Sequence, residues 1–228
     1  MSEWELYNCD FRELGDLEER FGDYVIVTDP PFNIGYHYGE YKDKVSHAEY
    51  MEMIGELVLG KRSVVIHYPE TLHELSIDTG IVPKRVVSWV YNSNTPRQHR
   101  DIAFYNIEPD FNKVRQPYKN PNDKRIKERI ARGCKGAKLY DWWNINQVKN
   151  TSQEKTAHPC QMPLEVMKRI IGILPENITI IDPFAGSGTT GAAVLASGGG
   201  RKFVGMEIDR NYYEIAAKRL QEIERHED

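Results

Sequence analysis

The sequence predicts an α/β protein built on one doubly wound, seven-stranded mixed sheet. Three observations carry this. Short apolar, β-branched runs recur along the chain, with helical stretches between most of them. One such run, Tyr24 to Thr28, ends in Asp29-Pro30-Pro31-Phe32. Another, Ile178 to Ile181, ends in Asp182 and runs into a glycine turn. Both place reactive residues at the carboxyl end of a strand, the edge where open α/β sheets bind their ligands.

Taken in order, Trp4 to Asn8 reads as a first strand ending at Asp10. Phe11 to Arg20 reads as a helix returning to the Tyr24 strand. That second strand is apolar at successive positions, as expected of a strand covered on both faces. Pro30 and Pro31 fix φ and lack N–H donors, so the ladder stops at Asp29. Asn33 to Lys44 is rich in Tyr, Gly and Lys, contains Gly35 and Gly39, and lacks aliphatic periodicity, which predicts a loop. Ser46 with Glu49 forms a capping box opening a helix to about Leu59. Ser63 to Tyr68, Arg85 to Tyr91 and Ile102 to Ile107 are further strands. Pro163 opens a helix to Leu174. After the Ile178 strand, Pro183 to Gly191 is the glycine turn, and Thr189 to Ala196 is its helix. Lys202 to Met206 is the seventh strand, ending at Glu207, and Asn211 to Glu224 is a final amphipathic helix.

At 228 residues the chain fits a single domain, 1–228. A net charge of −4 excludes a globally basic nucleic-acid binder. One local exception stands out: residues 110–138 carry a net charge of +7. The basic residues include Lys113, Arg115, Lys119, Lys124, Arg125, Lys127, Arg129 and Arg132. Few aliphatics accompany them, so residues 108–145 are expected to be a surface insertion. On an otherwise acidic chain such a patch is what phosphate binding requires, although a solvated basic helix has the same composition. No apolar run approaches the ~18 residues of a membrane span, and the start, Met-Ser-Glu-Trp, lacks the basic and apolar regions of a secretory signal. Three scattered cysteines fit a reducing compartment, with the cytoplasm expected. The spacings of Cys134, His158 and Cys160 match no metal motif, so no metal is expected.

The turn at Asp29 suits chemistry on an exocyclic amino group. Such a nitrogen is a poor nucleophile because its lone pair is delocalised into the ring. A carboxylate and the Pro30 carbonyl, accepting its two N–H bonds, would draw it towards sp³. Phe32 could stack on the base, which must leave the duplex to be reached. Asp-Pro-Pro-aromatic alone is equally compatible with an ordinary strand-terminating turn. Strand, glycine turn, helix, strand and acid, ending at Glu207, form a cofactor-binding unit. Gly186-Ser-Gly188-Thr-Thr-Gly191 also matches a dinucleotide fingerprint, leaving an NAD-dependent dehydrogenase as a rival. That rival uses neither Asp29-Pro-Pro-Phe nor the basic segment.

Together these segments resemble the amino-methylating DNA methyltransferases of the β class, whose S-adenosylmethionine-dependent, Rossmann-like fold is circularly permuted. Thr28 to Tyr36 is similar to that family's catalytic Asp-Pro-Pro-Tyr motif, with Phe32 in the aromatic place. Asp182 to Thr190 resembles its methyl-donor motif, and Lys202 to Asp209 the stretch after it. His158-Pro-Cys-Gln-Met-Pro163 resembles its His-Pro-Thr-Gln-Lys-Pro motif, with Cys160 and Met162 where Thr and Lys are usual. Leu6 to Asp10 resembles its Gly-Asp motif, with Cys9 replacing the glycine.

The resemblance implies a catalytic set of Asp29, Pro30, Pro31 and Phe32. It implies S-adenosylmethionine as cofactor, held by Asp10, Asp29, His158, Asp182, Phe184, Ala185, Gly186, Ser187, Gly188, Thr189, Thr190, Glu207 and Ile208. It also implies double-stranded DNA as substrate, with 108–145 as the target recognition region. Direct in-line transfer to N6 of adenine follows from Asp29, because N4-cytosine enzymes more often carry Ser there. Cytosine stays open, as does a catalytically inactive DNA-binding relict. A homodimer, and a cognate restriction endonuclease as partner, are compatible with the family.

Overall fold

The computed structural model describes residues 3–38 and 41–227. Gly39 and Glu40, inside the loop expected over 33–44, lie outside the described residues, as do Met1, Ser2 and Asp228. The chain opens with β1 (Trp4–Tyr7), a 3-10 turn (Phe11–Leu14), α1 (Leu17–Phe21) and β2 (Tyr24–Thr28). The single helix expected over 11–20 is thus two short pieces. Gly15 at φ 71° stops the first, and the Asp16 carboxylate caps the second by accepting from the Glu18 and Glu19 amides. A small hairpin, β3 (His37–Tyr38) and β4 (Tyr41–Lys42), occupies the stretch expected as loop. Then come α2 (His47–Gly55) with its Ser46–Glu49 capping box, β5 (Ser63–His67) and α3 (Pro69–Thr79). α3 has no counterpart in the sequence reading, because Pro69 and weak amphipathicity hid it.

β6 (Arg85–Val90) and β7 (His99–Tyr105) follow. Next are β8 (Arg115–Gln116), α4 (Lys124–Ala131), β9 (Ala137–Lys138) and β10 (Trp142–Asn144). The chain ends with α5 (Leu164–Ile173), β11 (Thr179–Asp182), α6 (Thr189–Ser197), β12 (Lys202–Met206) and α7 (Arg210–Glu227).

The main sheet has eight strands in the order β1-β12-β11-β2-β5-β7-β6-β10. Seven were expected. The eighth, β10, pairs parallel with β6 and comes from the last residues of the 108–145 segment. Trp143 is fully buried there, and the Trp89 indole donates to the Ile145 carbonyl at 2.7 Å. An aromatic supplies the apolar contact that the scarcity of aliphatics seemed to exclude. Only β7 runs against its neighbours, pairing antiparallel with β5 and β6.

Two hydrophobic clusters cover the two faces of this sheet. Val25, Val27, Val64 and Ile66 join the cluster containing Val166 and Ile170 of α5 and Val194 of α6. Ile26 and Val65 join the other, with Met51 and Ile54 of α2 and Leu72 and Leu75 of α3. Alternate residues of one strand thus enter opposite layers, which is why β2 and β5 read as unbroken apolar runs. From β11 the chain crosses through α6 to β12 on one side, while β2 leads through α2 to β5 on the other. The order reverses between β11 and β2, so Asp182 and Asp29 emerge together at the topological switch point.

Candidate active site

The two motif-bearing strands are neighbours, pairing from Tyr24 with Thr179 to Ile26 with Ile181. The Thr28 hydroxyl donates to Asp182 Oδ1 at 2.7 Å, a direct bond between the two motifs. Asp182 Oδ1 also accepts from the Phe184 amide, and Oδ2 from the Thr190 hydroxyl. Its buried carboxyl is raised above the usual carboxylate range by desolvation, which these donors oppose. Asp182 therefore stitches strand, turn and helix together.

Beyond it opens a cavity of about 270 Å³. All four residues of Asp29 to Phe32 line it, and so do Asp10, His158, Asp182, Phe184, Ala185, Gly186, Ser187, Thr189, Thr190, Glu207 and Ile208. Of the sequence-predicted set for the glycine turn, Gly188 alone is not on the wall. Gly188 has φ 70° and caps α6, where a Cβ would come within 3.1 Å of Ala216 on α7. Gly186, at φ 53°, faces His158, whose Nε2 would lie 3.1 Å from a Cβ. One glycine thus keeps the wall open and the other lets two helices close-pack.

The hydroxyls on this turn are occupied. Ser187 and Thr189 bond each other, and the Arg219 guanidinium donates to Thr189 Oγ1 and the Ser187 carbonyl. What the turn offers a ligand is backbone. Glu207 is held differently: Oε2 accepts from the Gly186 amide at 2.8 Å and Oε1 from the Asp209 amide at 2.9 Å. Burial raises its carboxyl and these two amides oppose the rise. Asn8, which no motif singles out, fixes this corner by donating to the Glu207 and Ile208 carbonyls. Asp10 caps the 3-10 turn and chelates Arg12, which holds its carboxyl below the usual range. Phe11 meets Phe184 edge-on at 5.5 Å, and both rings line the cavity at that end.

The Asp29 end carries residues that sequence reasoning missed. Arg100 of β7 donates from Nη1 to both Asp29 oxygens, at 3.2 and 3.4 Å. Burial raises the Asp29 carboxyl to about 6, Arg100 pulling it down and Asp182 pushing it up. Behind the two prolines lies a bonded chain whose protons can be assigned. The Tyr68 amide donates to His67 Nδ1 at 2.8 Å, so the imidazole proton is on Nε2. Nε2 then donates to the Tyr50 hydroxyl at 2.6 Å, and that hydroxyl donates to the Pro31 carbonyl at 2.9 Å. Phe32 packs 4.3 Å from the His67 ring and 4.9 Å from Tyr68. The Asp-Pro-Pro-Phe turn is thereby held from α2 and β5.

His67 is lowered to about 3 by burial and by Arg100, and His158 to about 4 by burial and Lys155. Both are expected to remain neutral at pH 5, read as imidazole Cε1 proton shifts by NMR. An imidazolium shift from either at that pH would contradict the assignment. The unfolded chain takes these protons first, so each histidine costs stability as pH falls from ~6.5 towards its folded value.

The eight predicted DNA-binding residues are all exposed. α4, carrying Lys124, Arg125, Lys127 and Arg129, buries none of its residues. Lys119 lies over Trp142 and Arg129 over Tyr118. Lys113 stands apart, since its ammonium donates to the Leu174 carbonyl and pairs with Glu176. Among the described residues no helix is long and apolar enough to cross a membrane.

The profile of the family described as DNA methylase, N6 and N4, matches residues 66–218. The type II methyltransferase M.ScaI of Streptomyces caespitosus is 30% identical over 256 residues, covering 95% of this chain and 81% of its own. The DNA adenine methyltransferase YhdJ of Escherichia coli K12 is 44% identical over 80 residues, 34% of this chain and 26% of that protein. Among solved structures, the complex of M1.HpyAVI with SAM superposes with a TM-score of 0.62 at 25% identity, covering 95% of this chain and 98% of that one.

Proposed function

Since the chain belongs to the DNA methylase family of S-adenosylmethionine-dependent amino methyltransferases, we propose that it methylates N6 of adenine in a short sequence of double-stranded DNA, flipping the base out to reach it. One observation supports this above all: the Asp29 turn and the glycine turn leave adjacent parallel strands, are bonded through Thr28 and Asp182, and open into one cavity. A dehydrogenase would have no use for the first of these turns.

The cavity fits the donor. Glu207 is fixed by two amides yet keeps lone pairs for a pair of ribose hydroxyls. The Phe11 and Phe184 rings on the cavity wall offer an apolar surface for an adenine ring, and the open face at Gly186 beside His158 suits the methionine end. Asp10 would meet the adenine only by sharing a carboxylate already chelating Arg12. When bound, S-adenosylmethionine supplies an electrophilic methyl group that the amino nitrogen takes directly, with no covalent enzyme intermediate.

The protein's part is orientation and electrostatics. Asp29 and the Pro30 carbonyl accept the two amino N–H bonds, freeing the lone pair. Asp29 also offsets the positive charge that grows on nitrogen. No strong base is needed, because the methylated nitrogen is acidic and loses its proton late. The His67–Tyr50–Pro31 chain keeps the turn from yielding when the base enters. Adenine is favoured by the carboxylate at position 29, and the similarity to the DNA adenine methyltransferase YhdJ supports that reading.

Residues 108–145 are proposed as the target recognition region, α4 contacting phosphates. Neutralising Lys124, Arg125 and Lys127 together should reduce the slope of log affinity against log salt by up to about 3. An unchanged slope would mean that α4 is merely solvated.

The decisive experiment is incubation with methyl-labelled S-adenosylmethionine and unmethylated genomic DNA, then digestion and nucleoside mass spectrometry. Label in N6-methyladenine is expected. Label in N4-methylcytosine would keep the mechanism and overturn the base. Cofactor binding with no label on any DNA would point to a relict.

A further inference from the structure

The candidate is Arg100, which no motif contains and which reaches the Asp29 turn from β7. Its side chain is 13% exposed and that of Asp29 16%. The guanidinium carbon lies 4.5 Å from the Phe32 centroid, 5.5 Å from Trp89 and 6.0 Å from Tyr68. Nη1 donates to both Asp29 oxygens and, at 3.8 Å, to the Met162 sulfur. A planar group rich in N–H, over Phe32 and bonded to Asp29, makes the two contacts that the flipped base is assigned under the proposed function.

We propose that Arg100 is a positioning residue that holds the place of the target base in the resting enzyme, keeping Asp29 ionised until the amino group replaces it. The inference rests on the reading of Asp29 and Phe32 as the base site.

Two features separate this arginine from a structural one. Its bonds to Asp29 are long for a charge-assisted pair, which ordinarily closes to about 2.7–2.9 Å. Its Nε is buried without a hydrogen-bond partner among the described residues. The Tyr91 side chain hydrogen-bonds the guanidinium as well, but a guanidinium buried for stability satisfies every donor, and Nε is left over here. Displacement also preserves the charge balance, because the amino nitrogen becomes positive as the methyl arrives.

The charges facing the pair are defined. Asp182 from β11 opposes ionisation of Asp29, and Arg100 from β7 favours it. Tyr91 and Tyr68 face Arg100, while the neighbouring His67 stays neutral, with Arg97 and Arg100 both opposing its protonation. Among the described residues, Arg100 is the one group that favours ionisation of Asp29.

The test is the pH profile of kcat/KM for methylation of unmethylated genomic DNA, which reports the groups of the free enzyme, for wild type, Arg100→Met and Arg100→Lys. Arg100→Met should move the acid limb of the profile upward by about 1–3 pH units and, above that limb, lower the KM for DNA. Arg100→Lys keeps the charge but not the flat stack, so the limb should stay while KM still falls. A limb unmoved in Arg100→Met, with rates uniformly reduced, would overturn the proposal. If Arg100→Met does not fold, Arg100→Lys decides: a fall in KM supports the placeholder, and an unchanged KM overturns it. Asp29→Ala in the same assay separates the two levels. If it stays active the base-site reading itself fails; if it is inactive, failure of the Arg100 arms counts against this inference alone.

Discussion

Replacing Asp29 by alanine is expected to abolish methyl transfer while leaving S-adenosylmethionine affinity within about tenfold. The rate loses both of the residue's contributions at once. Without the carboxylate the amino lone pair stays in the ring, and nothing beside it offsets the charge that develops. Removing one preorganised electrostatic partner typically costs about 10²–10³ in rate, and misorientation adds to that. Alanine also strands the Arg100 cation, which is paired with Asp29 at 3.2 Å. The matching control is Asp29→Asn, nearly isosteric and uncharged, with thermal melting followed for both. Asn at wild-type activity would show that charge is not what this position supplies. Alanine at wild-type activity would show that the chemistry lies elsewhere.

The second large effect is expected on binding. Glu207→Ala should weaken S-adenosylmethionine by about 100-fold or more, measured by calorimetry or equilibrium dialysis. Hydrogen bonds to a charged acceptor contribute ~1.5–3 kcal/mol each, and two ribose hydroxyls are available, while each ~1.4 kcal/mol is tenfold in affinity. The same substitution frees the Gly186 and Asp209 amides that Glu207 now accepts from, so the turn loosens as well as losing its ligand. Glu207→Gln separates these. It preserves one acceptor and the side-chain volume, and should fall between alanine and wild type. A dissociation constant unchanged in Glu207→Ala would remove this carboxylate from the binding site.

What was legible in the chain is what local chemistry writes there. Two prolines after Asp29 stop a strand whatever surrounds it, and Gly186 and Gly188 advertise the left-handed turn they adopt. The acids at strand ends could be read the same way. Arg100, Tyr50 and His67 could not, because nothing near them in sequence marks them. They meet Asp29, Pro31 and Phe32 only through the packing of β7, α2 and β5 against the switch point. Arg100 was further hidden because β7 begins at His99, three residues before its apolar run. The predicted donor contacts at Asp182, Ser187, Thr189 and Thr190 were placed on the cavity wall, yet their side chains serve the fold. Residue type reveals that a group can bond, and only the neighbourhood reveals to what.

The pairing of β2 with β11 has a consequence for how the protein is made. A ribosome delivers Tyr24 early and Thr179 late, though the two lie side by side in the finished sheet. While the chain is being extruded, β2 can recruit β5 on one edge, but its other edge has no partner until β11 has emerged. A bare Val-Ile-Val edge is a template for other nascent chains. Translation speed and chaperone supply over that interval should therefore govern the yield of folded protein. The same delay leaves a nascent chain with its Asp29 turn but without the donor wall of the cavity, because Asp182 to Glu207 emerge well after Asp29.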